Sequence, residues 1–171
     1  MGFISTLTKV FKGHEPYEDS SNQNSSSLNK KMMESGLKIL DIFMAQQEAP
    51  LSLYSSELRF EDELQRLRYL NFYLGAADRI ATGLFKTPQE ADTFFLVATF
   101  PRASQLYGSK NALLWVQAYG KNKPGTAEHE AGRAGWETVE TFSEIMNTNT
   151  PQAAVNELRP IAYKLYDVVK A

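Results

Sequence analysis

The sequence predicts an all-α protein, an irregular bundle of about six helices preceded by a short amphipathic helix on a flexible linker. Three observations carry this. Apolar residues recur at three- and four-residue spacing along most of the chain, Thr-Pro and Ser punctuation sits where helices need caps, and no segment alternates apolar and polar with hairpin punctuation. The 171 residues are enough for one domain with its own core, and we divide them into an arm (1–12), a polar linker (13–27) and a single helical domain (28–171).

The arm reads Phe-Ile-Ser-Thr-Leu-Thr-Lys-Val-Phe-Lys over residues 3–12. Phe3, Ile4, Leu7, Val10 and Phe11 fall on one face of a helix, and Lys9 and Lys12 lie with Ser5 and Thr8 on the other. Such a helix suits a membrane surface, a partner's groove, or an apolar strip of its own body. Met1-Gly2-x-x-x-Thr6 also fits the loose N-myristoylation pattern, with Gly2 exposed once Met1 is removed. The linker that follows contains no aliphatic residue before Leu28, so it buries too little to offset its ordering entropy.

From Leu28 to Gln47, Met32, Gly36, Ile39 and Phe43 form one row and Met33, Leu37, Leu40 and Met44 the next, a wide inward face. Ala49-Pro50 breaks that helix. Ser55 or Ser56 is the expected cap of a second helix over 57–85, about seven to eight turns with Gly75 as its weak point. Arg59 to Glu63 and Asp62 to Arg66 are its expected charge pairs. Thr87-Pro88-Gln89-Glu90 opens a third helix, and the run Phe94 to Ala98, apolar on nearly every side, predicts that this helix is central. Pro101 should end or kink it. Gly108 ends its continuation, Ser109 caps 110–119, and Gly120-Lys-Asn-Lys-Pro-Gly125 is the clearest breaker of the domain. Thr126 caps a helix to about Met146, and Thr150-Pro151 starts the last one, with Leu158, Ile161, Ala162, Leu165, Tyr166 and Val169 facing in and Pro160 predicting a kink or split. Thr-Pro-Gln-x-Ala occurs at 87–91 and 150–154, but the sequences that follow do not align, so these are two caps and not a duplication.

Composition removes several function classes. The chain has no cysteine, which excludes disulfides, thiolate metal sites and a cysteine nucleophile. Eighteen basic against 20 acidic side chains argue against a dedicated nucleic-acid binder. No apolar run approaches the roughly 20 residues of a bilayer span, and no signal peptide is recognisable. A cytoplasmic location, with peripheral membrane association through residues 3–12 as the alternative, is therefore expected.

Catalytic motifs fail one by one. His129-Glu130-Ala-Gly-Arg133 lacks the second imidazole of a zinc-protease helix. Glu61-Asp62-Glu63 spreads its acids around a helix and cannot converge them. Residues 102–119 resemble two short helices with a turn, as in a DNA reader, but the second is mostly apolar and reads as a core hairpin. Gly132 and Gly135 lie inside a helix, where each costs roughly 1 kcal/mol relative to Ala, so another backbone or a bound group must come close. Helix crossing is the first reading, and an apolar ligand slot formed by Trp115, Gly132, Gly135 and Trp136 is the alternative. No catalytic residue, metal ligand or cofactor is assigned. The function expected first is a non-enzymatic interaction protein, an adaptor or regulatory module with a protein partner. A membrane-associating protein that uses the arm, perhaps delivered or lipidated, ranks second, and an enzyme whose site the sequence hides ranks third.

Overall fold

The computed structural model describes residues 22–52, 58–148 and 157–171. In chain order they form α1 (Asn22–Glu48), a 3-10 turn (Ala49–Leu51), α2 (Glu63–Leu84), α3 (Pro88–Tyr107), α4 (Ser109–Tyr119), α5 (Ala127–Thr148), a second 3-10 turn (Arg159–Ile161) and α6 (Lys164–Lys170). The fold is an all-α bundle, and no strand occurs among the described residues. No described helix is long and apolar enough to cross a membrane. Residues 1–12, with Phe3, Ile4, Leu7, Lys9, Val10, Phe11 and Lys12, lie outside the described residues.

α1 begins at Asn22, so the last part of the expected linker, 22–27, is helical. Once the amphipathic stretch downstream has nucleated a helix, each further residue costs little, even for weak formers such as Asn and Ser. Leu40, Phe43 and Met44 are buried as the pattern requires, but Ile39 and Ile42 stand 36% and 54% exposed.

The helix at the centre is α2, not α3. It packs against α1, α3, α4, α5 and α6, and every residue from Tyr69 to Ala77 is buried. α3 keeps Val97 and Phe100 exposed on its outer face. The reason lies in side-chain size. Gly75, Ala76 and Ala77 let neighbours approach α2 from several directions, whereas the bulky run in α3 needs contacts on two sides only.

α2 also starts later than expected. Ser55 and Ser56 fall outside the described residues, Leu58–Asp62 are not helical, and the cap is Asp62, whose carboxylate accepts the Gln65 backbone N–H at 2.8 Å. The Gln65 side chain in turn accepts the Glu61 N–H at 3.0 Å, a reciprocal arrangement akin to a capping box. With Asp62 occupied in this way, Arg66 pairs with Glu63 at 3.1 Å.

α3 runs through Pro101 without ending, and stops at Gly108. That residue closes α3 and opens α4 at once, with φ of +78°, a conformation open to glycine and costly for other residues. Ser109 is therefore the first residue of α4 and caps nothing. Thr126 caps α5 as expected, accepting the His129 N–H at 3.3 Å. The expected split at Pro160 is present as the 3-10 turn before α6. Leu165 and Val169 face in, whereas Tyr166 stays 39% exposed. The expected start at Thr150 lies outside the described residues.

The closest helix contact is α2 on α5. A Cβ added to Gly75 would run into the Gly132 carbonyl oxygen, and one added to Gly135 would run into that of Phe72. Asn71, buried in α2, donates to the Leu67 carbonyl at 2.9 Å and accepts the Asn122 side chain at 2.7 Å, which ties the α4–α5 loop to the core.

Candidate functional site

The crossing answers the question raised by Gly132 and Gly135. Both face α2, and Gly132 also has the Tyr119 ring against it, where an added Cβ would meet Cε2 at 2.8 Å. The two tryptophans are engaged separately. Trp115 lies on Tyr107 with ring centroids 4.7 Å apart, and Trp136 carries the Arg79 guanidinium 4.9 Å from its centroid. Of the alternative slot of Trp115, Gly132, Gly135 and Trp136, the two glycines face the crossing with α2 and the Tyr119 ring, and the two tryptophans have separate partners.

A concave site of about 680 Å³ lies elsewhere, between α2, α3 and α4. Helical register builds its walls. From α2 come Asp78, Ala81, Thr82 and, just beyond the helix, Phe85, spaced i, i+3, i+4, i+7. Pro88, Ala91, Asp92 and Phe95 repeat that spacing on α3, and Val116 and Tyr119 close the third side from α4. The Thr87 cap fixes the corner between the first two walls, accepting the Glu90 N–H at 3.3 Å and donating to its carboxylate at 2.8 Å.

Phe85 and Phe95 are buried, and Phe95 packs on the Tyr119 ring at 5.7 Å. Over this apolar floor stand the carboxylates of Asp78 and Asp92, both half-buried. The Tyr119 hydroxyl donates to Asp78 at 3.4 Å. Burial raises the pKa of Asp78 above the ordinary carboxylate value, the Tyr119 hydrogen bond opposes that rise, and the charge of Asp92 adds to it. Burial alone raises Asp92. Tyr119 is pushed up as well, first by burial and then by the charge of Asp78. Among the described residues neither aspartate forms an ion pair. Lys86 and Lys121 stand exposed at the mouth.

Two partly buried carboxylates outside any ion pair attract positive charge, and the apolar residues beside them favour a cation carried on an aliphatic stem. The two threonine hydroxyls of the cleft are engaged within their own helices. Thr82 donates into the α2 backbone, to the Asp78 and Arg79 carbonyls at 3.1 Å, and Thr87 is the cap.

His129 lies in the first turn of α5 against Glu130 at 3.2 Å, and Arg133 bridges Glu130 and Glu137. Among the described residues no group of three or more His, Asp or Glu side chains could hold a metal ion. The α3–α4 pair packs as a core hairpin, with Ala112 and Val116 buried. Sequence reasoning did not single out Asp78 or Asp92. The signal that could have found them is the repeated i, i+3, i+4, i+7 set with one acid in each copy, at 78–85 and 88–95. The chain matches no protein-family model, no curated protein and no solved structure.

Proposed function

We propose that this protein is a non-enzymatic interaction module, and that the α2–α3–α4 cleft captures a lysine or arginine side chain presented by a protein partner. The observation that carries the reading is a pair of partly buried carboxylates, neither in an ion pair, that line the cleft with Phe85 and Phe95. A lysine stem buries roughly 0.8 kcal/mol of apolar free energy per methylene, and its ammonium meets a negative charge from which water is partly excluded. In this reading Lys86 and Lys121, which also line the cleft, donate to the carbonyls of the flanking peptide. A cytoplasmic setting is part of the same proposal.

The reading is tested with a fluorescein-labelled pentapeptide carrying one central lysine between leucines, compared by polarisation with its glutamine counterpart. The lysine peptide binds the full chain more tightly, and Asp78→Asn with Asp92→Asn removes the difference. Equal binding of the two peptides by the wild-type chain would overturn the assignment.

A further inference from the structure

A second concavity, about 510 Å³, opens on the opposite side of α2, between α1 and α5. Its size falls within the roughly 300–1,000 Å³ of small-molecule sites. Ile39 and Ile42 of α1, Ile80 and Leu84 of α2, and Val139 and Phe142 of α5 give it apolar walls. Of these, Ile39 and Ile42 stand exposed along it. Among the lining residues a single side chain carries charge, that of Arg79.

Arg79 is held in place with donors to spare. Its guanidinium rests on the Trp136 ring, 4.9 Å from the centroid, and Nη2 donates to Glu140 at a long 3.5 Å. Nε is buried and meets no hydrogen-bond partner among the described residues. Nη1 lies over Gly83, itself a lining residue, where an added Cβ would stand 3.0 Å from it. The missing side chain at 83 is thus what leaves room for the guanidinium at the groove. A guanidinium presents its N–H donors in a fixed fork that matches a carboxylate, and the single stretched contact with Glu140 leaves most of that fork unused.

We propose that this groove binds an unbranched aliphatic monocarboxylate, with its carboxylate on Arg79 and its hydrocarbon tail along Ile39, Ile42, Leu84 and Phe142. Sign and polarity both select that class. One positive charge at the groove favours an anionic head and disfavours an ammonium. The apolar walls suit a tail that brings no polar groups to satisfy. A peptide fits worse, since each of its residues brings an N–H and a C=O, and Ser143 supplies the one hydroxyl among the lining residues. The bound tail covers Ile39 and Ile42 and so removes exposed apolar surface from water. The groove shares no lining residue with the α2–α3–α4 cleft and has the opposite sign, so either assignment can fail without the other.

The test is an NMR titration of the full, isotope-labelled chain with decanoate below its micelle concentration, compared with decanol. The expected result is saturable shifts centred on Ile42, Gly83 and Val139. Decanoate binds about tenfold more tightly than decanol, the scale of a charge-assisted hydrogen bond. Arg79→Gln brings decanoate down to the affinity of decanol. Glu140→Gln, which takes away the competing anion, tightens decanoate and leaves decanol unchanged. Ile42→Asp sets a like charge on the exposed wall and weakens decanoate, and because Ile42 is exposed this variant folds even where the Arg79 variant does not. Equal affinity of the wild-type chain for the two probes overturns the proposal, as does a decanoate response that Glu140→Gln and Ile42→Asp both leave unchanged. Shifts centred on Phe85 and Phe95 assign decanoate to the other cleft and overturn it too.

Discussion

Asp78 is the residue on which most of the chemistry turns. Its pKa is raised because burial disfavours the charged form and Asp92 stands nearby with the same sign. A group that holds its proton more tightly when folded binds more protons in the native state than in the unfolded one between its two pKa values. Its stabilising contribution is complete below the unfolded value and is lost as pH rises through the folded value. Compared with Asp78→Asn, the wild-type chain therefore loses stability as pH is raised from about 4 towards neutrality, which urea unfolding at stepped pH measures. Cation capture has the opposite dependence. Binding needs the charged carboxylates, so affinity for an alkylammonium falls as pH is lowered through the raised pKa values of Asp78 and Asp92. Tyr119, pushed up by burial, stays protonated throughout.

Elements of this fold were legible where caps and periodicity agree, and less so where size decides. Thr87-Pro88 and Thr126 mark true helix starts because each hydroxyl has a backbone N–H three residues on to accept. Asp62 was harder to see, because residues 61–63 are all acidic and only the Gln65 side chain, returning to Glu61, singles out the cap. The central role of α2 was hidden for a different reason. Hydrophobicity ranks Phe94 to Ala98 above Tyr69 to Ala77, yet the small residues of α2 admit α5 at backbone contact. Gly135→Ala or Gly75→Ala forces a Cβ into a carbonyl oxygen, and each should cost about 3 kcal/mol, the upper end of overpacking in a filled core, in a denaturant titration. Pro101 is the reverse case. It sits exposed inside a continuous helix, and Pro101→Ala should raise stability by about 1–3 kcal/mol by restoring a backbone hydrogen bond and removing a steric conflict.

At the scale of the whole molecule, one buried side chain joins the two ends of the described fold. Gln47 of α1 donates to the Ile161 carbonyl at 2.9 Å and accepts the Leu165 N–H at 3.2 Å, with no exposed surface. Gln47→Leu leaves both backbone groups buried without partners, at roughly 1–3 kcal/mol each, and amide exchange in α6 should accelerate before exchange in α2. Nearby, Glu48 holds the Arg102 guanidinium at 3.2 Å and accepts the Tyr69 hydroxyl, which locks α1 to α2 and α3. These long-range contacts had no sequence signal, since a buried glutamine looks like a surface one until its partners are known. They hold α1 and α3 rigidly against α2, leaving a cleft on one side and a groove on the other.

The central claim is that the cleft recognises a cation on an apolar stem. The most direct measurement is an NMR titration of the full chain with n-butylamine at neutral pH, beside n-butanol and butyrate as controls of equal stem. The account predicts saturable shifts at Asp78, Ala81, Asp92 and Phe95 with butylamine, weaker shifts with butanol, none with butyrate, and loss of the butylamine response in Asp78→Asn with Asp92→Asn. Equal responses to butylamine and butanol, or a butylamine response unchanged in the double variant, would contradict it.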